Sequence, residues 1–218
     1  MQRIRTFHPR RGRMSVAQTD AVRRLLPVHG VPDGPIDPGR LFGGRPVALE
    51  IGFGLGHATV EMARDDASVG ILAVDVHTPG VARLLLEVER LGLDNVRVME
   101  DDAVDVLADR LAPGCLHEIR VFFPDPWPKA RHHKRRLVRP DLVALMASRL
   151  EPGGLLRLAT DWSHYAEDMR GVLDAEPLLR DAFPGGGARL DRPETKFERT
   201  GRSKGHEVTD LAYVRVGV

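Results

Sequence analysis

From residue 47 onward, short apolar runs alternate with stretches in which apolar residues recur at helical spacing. The runs at 47–52, 70–75, 96–100, 118–123 and 155–161 predict five strands. Helical spacing at 56–64, 79–91, 103–111, 141–150 and 162–174 predicts a helix after each of them, the fourth ended by Pro152-Gly153-Gly154. Two further strands fit around 187–190 and 208–216. Strands alternating with helices of this length predict a doubly wound, mostly parallel seven-stranded sheet of Rossmann-like α/β type. Before residue 47 the pattern is weaker. Residues 18–28 predict a short helix, and 31–46, rich in Gly and Pro, predict a connecting loop. The expected organisation is a basic arm with a short helix over 1–30, then one domain over 31–218.

Composition sharpens this picture mainly through charge. The 218 residues carry a net charge of +1, yet the cations cluster. Arg3, Arg5, Arg10, Arg11, Arg13, Arg23 and Arg24 crowd the start, opposed by Asp20. Residues 129–139 hold six Lys and Arg and no acid. Such asymmetry points to a polyanion meeting one face. The sole cysteine, Cys115, excludes an internal disulfide and fits a cytoplasmic protein. No apolar run is long enough to span a membrane, and the basic start lacks the apolar core of a signal peptide.

Candidate chemistry begins at Leu49-Glu50-Ile51-Gly52-Phe53-Gly54-Leu55-Gly56, which follows a predicted strand and opens a helix. Gly52, Gly54 and Gly56 allow a tight turn and close approach to a ligand. The spacing is not that of the dinucleotide fingerprint, and Glu50 would repel a pyrophosphate. An amine-bearing cation suits it, and S-adenosylmethionine carries a sulfonium and an ammonium. Asp75, at the end of the second strand, suits ribose hydroxyls; Asp102, after the third, suits an adenine amine. A single acid in such a place is more commonly a helix cap. Three at successive strand ends line the crevice where open α/β sheets bind ligands.

A second constellation follows the fourth strand. Pro124 and Pro126 bracket Asp125, and Trp127 and Pro128 complete a stiff turn that runs into Lys129, Arg131, His132, His133, Lys134, Arg135 and Arg136. The fourth strand neighbours the first in such a sheet, so Asp125 falls near the reactive methyl. Asp161, after the fifth strand, is expected to face the same crevice. Alkylating guanine N7 requires alignment rather than a strong base, and a carboxylate stabilises the charge that develops. An exocyclic amine as target would instead make Asp125 a proton acceptor. The basic run suits phosphates and Trp127 a stacked base. Adjacent His132 and His133 point apart, and no carboxylate or thiol completes a metal site.

These residues together resemble the bacterial tRNA (guanine-N7)-methyltransferase family over nearly the whole chain. The Phe-Phe-Pro-Asp-Pro-Trp block with Arg-His-His-Lys-Arg-Arg is the most specific part. The glycine loop, Arg11-Gly12-Arg13, Ala159-Thr160-Asp161-Trp162 and Thr195-Lys196-Phe197-Glu198 with Gly205-His206 complete it. The resemblance implies a class I S-adenosylmethionine-dependent fold. It implies methylation of a guanine in the tRNA variable loop, position 46 in the family, to 7-methylguanosine. It implies cofactor contacts at Glu50, Asp75, Asp102 and Asp125, with Asp125 also the active-site acid. Lys129, Asp161 and Thr195 through Glu198 become substrate contacts, and 131–136 an RNA-contacting segment. No metal, membrane or obligatory protein partner is expected, and the protein is a monomer or homodimer. Asp75 stands where the family usually has Glu, and Pro128 where it usually has His. His77-Thr78-Pro79-Gly80 resembles the family's His-Ser-Pro-Gly turn. Three rival readings are a non-catalytic RNA-binding protein, a nicotinamide-dependent oxidoreductase, and a methyltransferase for another base or a small molecule.

Overall fold

Val47–Ile51 (β1) is buried at all five positions, which only a strand covered on both faces permits. In the computed structural model, which describes residues 6–7, 14–184, 192–203 and 205–217, it lies in the interior of a seven-stranded sheet. Its parallel neighbours are Gly70–Asp75 (β2) and Leu116–Phe122 (β4). Outside them run Val96–Glu100 (β3) and Leu150–Thr160 (β5), also parallel. Thr209–Arg215 (β7) is antiparallel to β5, and Leu179–Asp181 (β6) pairs antiparallel at the edge. The order is β3-β2-β1-β4-β5-β7-β6. Reversal between β1 and β4 opens a crevice at the strand C-termini, the ligand position of doubly wound sheets.

Side chains alternate between two cores. Leu49, Leu72, Val74 and Ile119 pack with Pro140–Arg149 (α6) and Ser163–Asp174 (α7). Ile71, Ala73, Val96 and Val98 pack on the other face with Thr78–Leu91 (α4). Val16–His29 (α1) joins this second core through Ala21 and Leu25, and Arg24 pairs with Glu89 of α4. Ser15 and Gln18 form a reciprocal capping box that starts α1. Pro38–Leu41 (α2) is a single turn in the connecting segment.

Several expected elements are redrawn. The helix predicted at 103–111 is a turn of α-helix, Ala103–Asp105 (α5), continued as a π turn, Val106–Arg110. Pro152-Gly153-Gly154 does not separate a helix from a strand. β5 already begins at Leu150, and its register with β4 shifts between Leu116 and Glu118. The glycines form the bulge: Gly153 has φ +85°, and a Cβ on Gly154 would meet the Glu151 and His117 carbonyls at 2.9 Å. The seventh strand is β6 at 179–181; the strand predicted at 187–190 lies outside the described residues. Among the described residues no helix is long and apolar enough to cross a membrane.

Candidate active site

Two loops build the crevice. The first joins β1 to His57–Asp65 (α3), and Gly52, Gly54 and Gly56 in it all adopt left-handed backbone, at φ +77°, +61° and +74°. Only Gly52 and Gly54 line the cleft. Gly56 serves packing, since a Cβ there would meet Leu84 Cδ1 at 2.9 Å. The cleft encloses about 200 Å³. Asp75, Asp101, Asp102 and Asp125 line it, with Phe122 and Phe123 as apolar wall.

Asp75 organises the glycine loop. Its Oδ2 accepts from Gly54 N–H at 2.7 Å and its Oδ1 from His77 N–H at 2.9 Å. Burial pushes its carboxyl up, and those amides oppose the shift. Asp102 caps α5 by accepting from Val104 N–H at 3.0 Å, so the capping role operates while the residue still faces the cleft. Glu50 does not line the cleft; its neighbours Ile51 and Gly52 do. It is 4% exposed, and its Oε2 lacks a hydrogen-bond partner among the described residues. Burial lifts its carboxyl to about 7, partly offset by the Thr59 hydroxyl and the Arg120 guanidinium. An unsatisfied buried carboxylate oxygen beside a glycine loop, with four more acids on the walls, fits a ligand bearing an ammonium, ribose hydroxyls and an adenine amine.

The second loop is the turn after β4. Phe123 and Trp127 adopt left-handed backbone at φ +52° and +45°, the non-glycine residues that do so among those described. They stand two residues either side of Asp125, so the acid sits in a strained and heavily constrained turn. Trp127 corrects the sequence reading. It is 3% exposed rather than available for stacking, and its indole N–H donates to the Thr6 carbonyl at 3.3 Å. Thr6 and Phe7 themselves line the cleft, a contribution from the N-terminal segment that no local motif announced. Trp162 is the less buried indole, packed at the rim of the core.

The basic run divides by orientation. Its core is a 3-10 segment, Ala130–Arg135. Lys129, Arg131, His133 and Lys134 are exposed. Arg135 lies over the Trp127 ring at 4.9 Å, and His132 meets that ring edge-on at 5.8 Å. Arg136 turns inward: its Nε donates to the Pro126 carbonyl at 2.9 Å, it pairs with Asp168, and it covers Tyr165. As placed, it braces the turn and offers nothing to a phosphate.

Asp161 follows β5 but is not part of the cleft lining. Its Oδ2 lies 3.3 Å from His206 Nδ1, and Gly201 leaves room for it, since a Cβ there would come within 2.7 Å. Thr195 Oγ1 accepts from Glu198 N–H at 3.1 Å and starts Lys196–Ser203 (α8). The Lys196 and Phe197 side chains lie outside the described residues. Glu198 is fully buried, paired through Oε2 with Arg192 and through Oε1 with Arg202. Sequence reasoning gave no structural role to Arg192, or to Gly80, where a Cβ would sit 1.9 Å from the Gly54 carbonyl. Among the described residues no group of three His, Cys, Asp or Glu could hold a metal ion.

A family model described as "Putative methyltransferase" matches residues 44–211. A tRNA (guanine-N(7)-)-methyltransferase of Streptomyces coelicolor is 51% identical, over 99% of this chain and 82% of its own length. Its counterpart in Alkalilimnicola ehrlichii is 51% identical, over 96% and 92%. The chain belongs to the tRNA (guanine-N7)-methyltransferase family. The likeness of fold extends beyond this family. The 16S rRNA methyltransferase KamB superposes with TM-score 0.57 at 18% identity, over 82% of this chain and 92% of its own. The aminoglycoside resistance methyltransferase NpmB1 superposes with TM-score 0.55 at 17%, over 79% and 88%. The fold is thus that of class I methyltransferases, and the glycine loop belongs to that fold rather than to a nicotinamide enzyme.

Proposed function

We propose that this protein methylates N7 of a guanine in tRNA, and that the guanine lies in the variable loop. The observation that carries the reading is the convergence of Asp75, Asp102 and Asp125 on one cleft, with the strained turn bearing Asp125 leading directly into an exposed cationic run. When bound, S-adenosylmethionine supplies the methyl group as an electrophile on a sulfonium. Glu50 would meet its ammonium, Asp75 the ribose and Asp102 the adenine.

The remaining work falls to the chain. Guanine N7 has a lone pair and needs no deprotonation, so holding it in line with the methyl supplies most of the acceleration. Asp125, fixed by a turn whose backbone has little freedom, stabilises the positive charge that grows on the purine. Lys129, Arg131, His133 and Lys134 project outward and would take the phosphates that bring the loop to the cleft. Phe122, Phe123 and Phe7 provide apolar walls that exclude water.

The test is nucleoside mass spectrometry after incubating the protein with S-adenosylmethionine and unmodified tRNA transcripts. New 7-methylguanosine at the variable loop, absent with Asp125→Ala while cofactor binding and thermal unfolding show a folded protein, is the expected result. Methylation of a different base, or undiminished turnover by Asp125→Ala, contradicts it.

A further inference from the structure

The Arg192 side chain is fully enclosed. Its Nη1 donates to Glu198 Oε2 at 2.6 Å, and its Nε donates to Asp210 Oδ1 at 2.7 Å. Its guanidinium carbon lies 5.3 Å from the Phe122 ring centroid and 5.4 Å from that of Phe123. Three separate parts of the chain therefore meet at one cation: α8, the start of β7, and the end of β4 with its turn. Phe123 is also the residue at φ +52°, two positions before Asp125. A strained backbone of this kind persists only where surrounding contacts hold it. The Phe123 amide is tied to the Ala159 carbonyl at 2.8 Å, and its ring is covered by Arg192. Two carboxylates neutralise the guanidinium through Nε and Nη1 and two aromatic rings flank it, while its buried Nη2 has no hydrogen-bond partner among the described residues. Neither Arg192 nor the Glu198 side chain reaches solvent.

We propose that Arg192 is a positioning residue for methyl transfer, holding the Phe122–Phe123 rings and so the placement of Asp125, and that Glu198 acts by holding Arg192 rather than by touching RNA. The proposal deepens the reading of Asp125 as the active-site acid and rests on it for its catalytic consequence. Its structural consequence is independent. A guanidinium is planar and forks to two acceptors, whereas an ammonium keeps the charge without the flat face or the fork. Arg192→Lys is therefore the informative change, with Glu198→Gln as a second that leaves Asp210 in place.

Each variant is compared with wild type in four measurements. They are single-turnover methylation at saturating tRNA and cofactor, the salt dependence of tRNA binding, thermal unfolding, and acrylamide quenching of Trp127. The quenching is read in a Trp162→Phe background, where Trp127 is the remaining indole. The expected result is a single-turnover rate about 10–100-fold lower, an unchanged salt slope, and faster quenching of Trp127 as the turn loosens. A shallower salt slope with an unchanged saturated rate would identify a phosphate contact and overturn the proposal. A lowered unfolding temperature with rate and quenching unchanged overturns it as well, as merely structural. If Arg192→Lys does not fold, Glu198→Gln carries the same comparison. If wild type forms no 7-methylguanosine, the functional reading fails by itself, and quenching still decides whether Arg192 holds the turn.

Discussion

Glu50 is where burial and binding meet. Its folded pKa of about 7 stands above its ordinary 4.5, so the fold favours the neutral acid. The stability it contributes is full below about 4.5 and is lost as pH rises toward 7. Glu50→Gln removes that loss. The ligand-free variant should be more stable than wild type at pH 8, by of order 2–3 kcal/mol, and no more stable at pH 4, as thermal unfolding would register. Ligand affinity should move the opposite way. A bound ammonium favours the ionised carboxylate, so S-adenosylmethionine should bind wild type more weakly at pH 6 than at pH 8. Glu50→Gln should bind it weakly at both. Calorimetric titration at the two pH values checks this, and equal affinity for wild type at both would exclude the ammonium pairing.

Elements press on one another at the glycine loop, where the constraint is steric rather than electrostatic. The first turn of α4 approaches so closely that a Cβ on Gly80 would lie 1.9 Å from the Gly54 carbonyl. Gly54 in turn donates its N–H to Asp75. Gly80→Ala should therefore displace the loop, costing ~1–3 kcal/mol of stability and weakening S-adenosylmethionine binding at least tenfold. Ala at Gly171 of α7, where a Cβ meets nothing within 4 Å, should do neither, and paired unfolding and binding measurements would separate the two sites. Sequence reasoning noticed His77-Thr78-Pro79-Gly80 only by resemblance. A glycine required by a distant carbonyl has no local signature. Trp127 and Arg136 were misjudged for the same reason. A tryptophan and an arginine in a cationic run read as surface until the turn is seen to fold one onto the Thr6 carbonyl and the other against Asp168.

Across the whole molecule, exposed cations follow the Asp125 turn in a chain of nearly balanced charge. A nucleic acid bound there exchanges condensed counterions for side chains, so affinity falls as salt rises. Replacing Lys129, Arg131 and Lys134 together by Ala should weaken tRNA binding and reduce the slope of log affinity against log salt by about 2–3. Arg136→Ala should act differently. It unpairs Asp168 and frees the Pro126 carbonyl, so it should lower the unfolding temperature and leave the slope unchanged. Filter binding over a salt series, with melting curves for both variants, distinguishes an outward cation from an inward one.

The sequence by itself determined the alternation of strands and helices, the doubly wound class, the glycine loop and the acids Asp75, Asp102 and Asp125 at the strand ends. Each of these is local, set by the period of apolar residues or by a short motif at a strand terminus. Tertiary structure alone decided which cations face solvent, which indole is buried, that Pro152-Gly153-Gly154 is a bulge, and that Glu198 is enclosed with Arg192. Those outcomes depend on contacts between residues far apart in the chain, as Arg136 with Asp168 and Arg192 with Phe122 show. A side chain's type states what it is able to bind, whereas its burial and partners settle what remains available to a ligand.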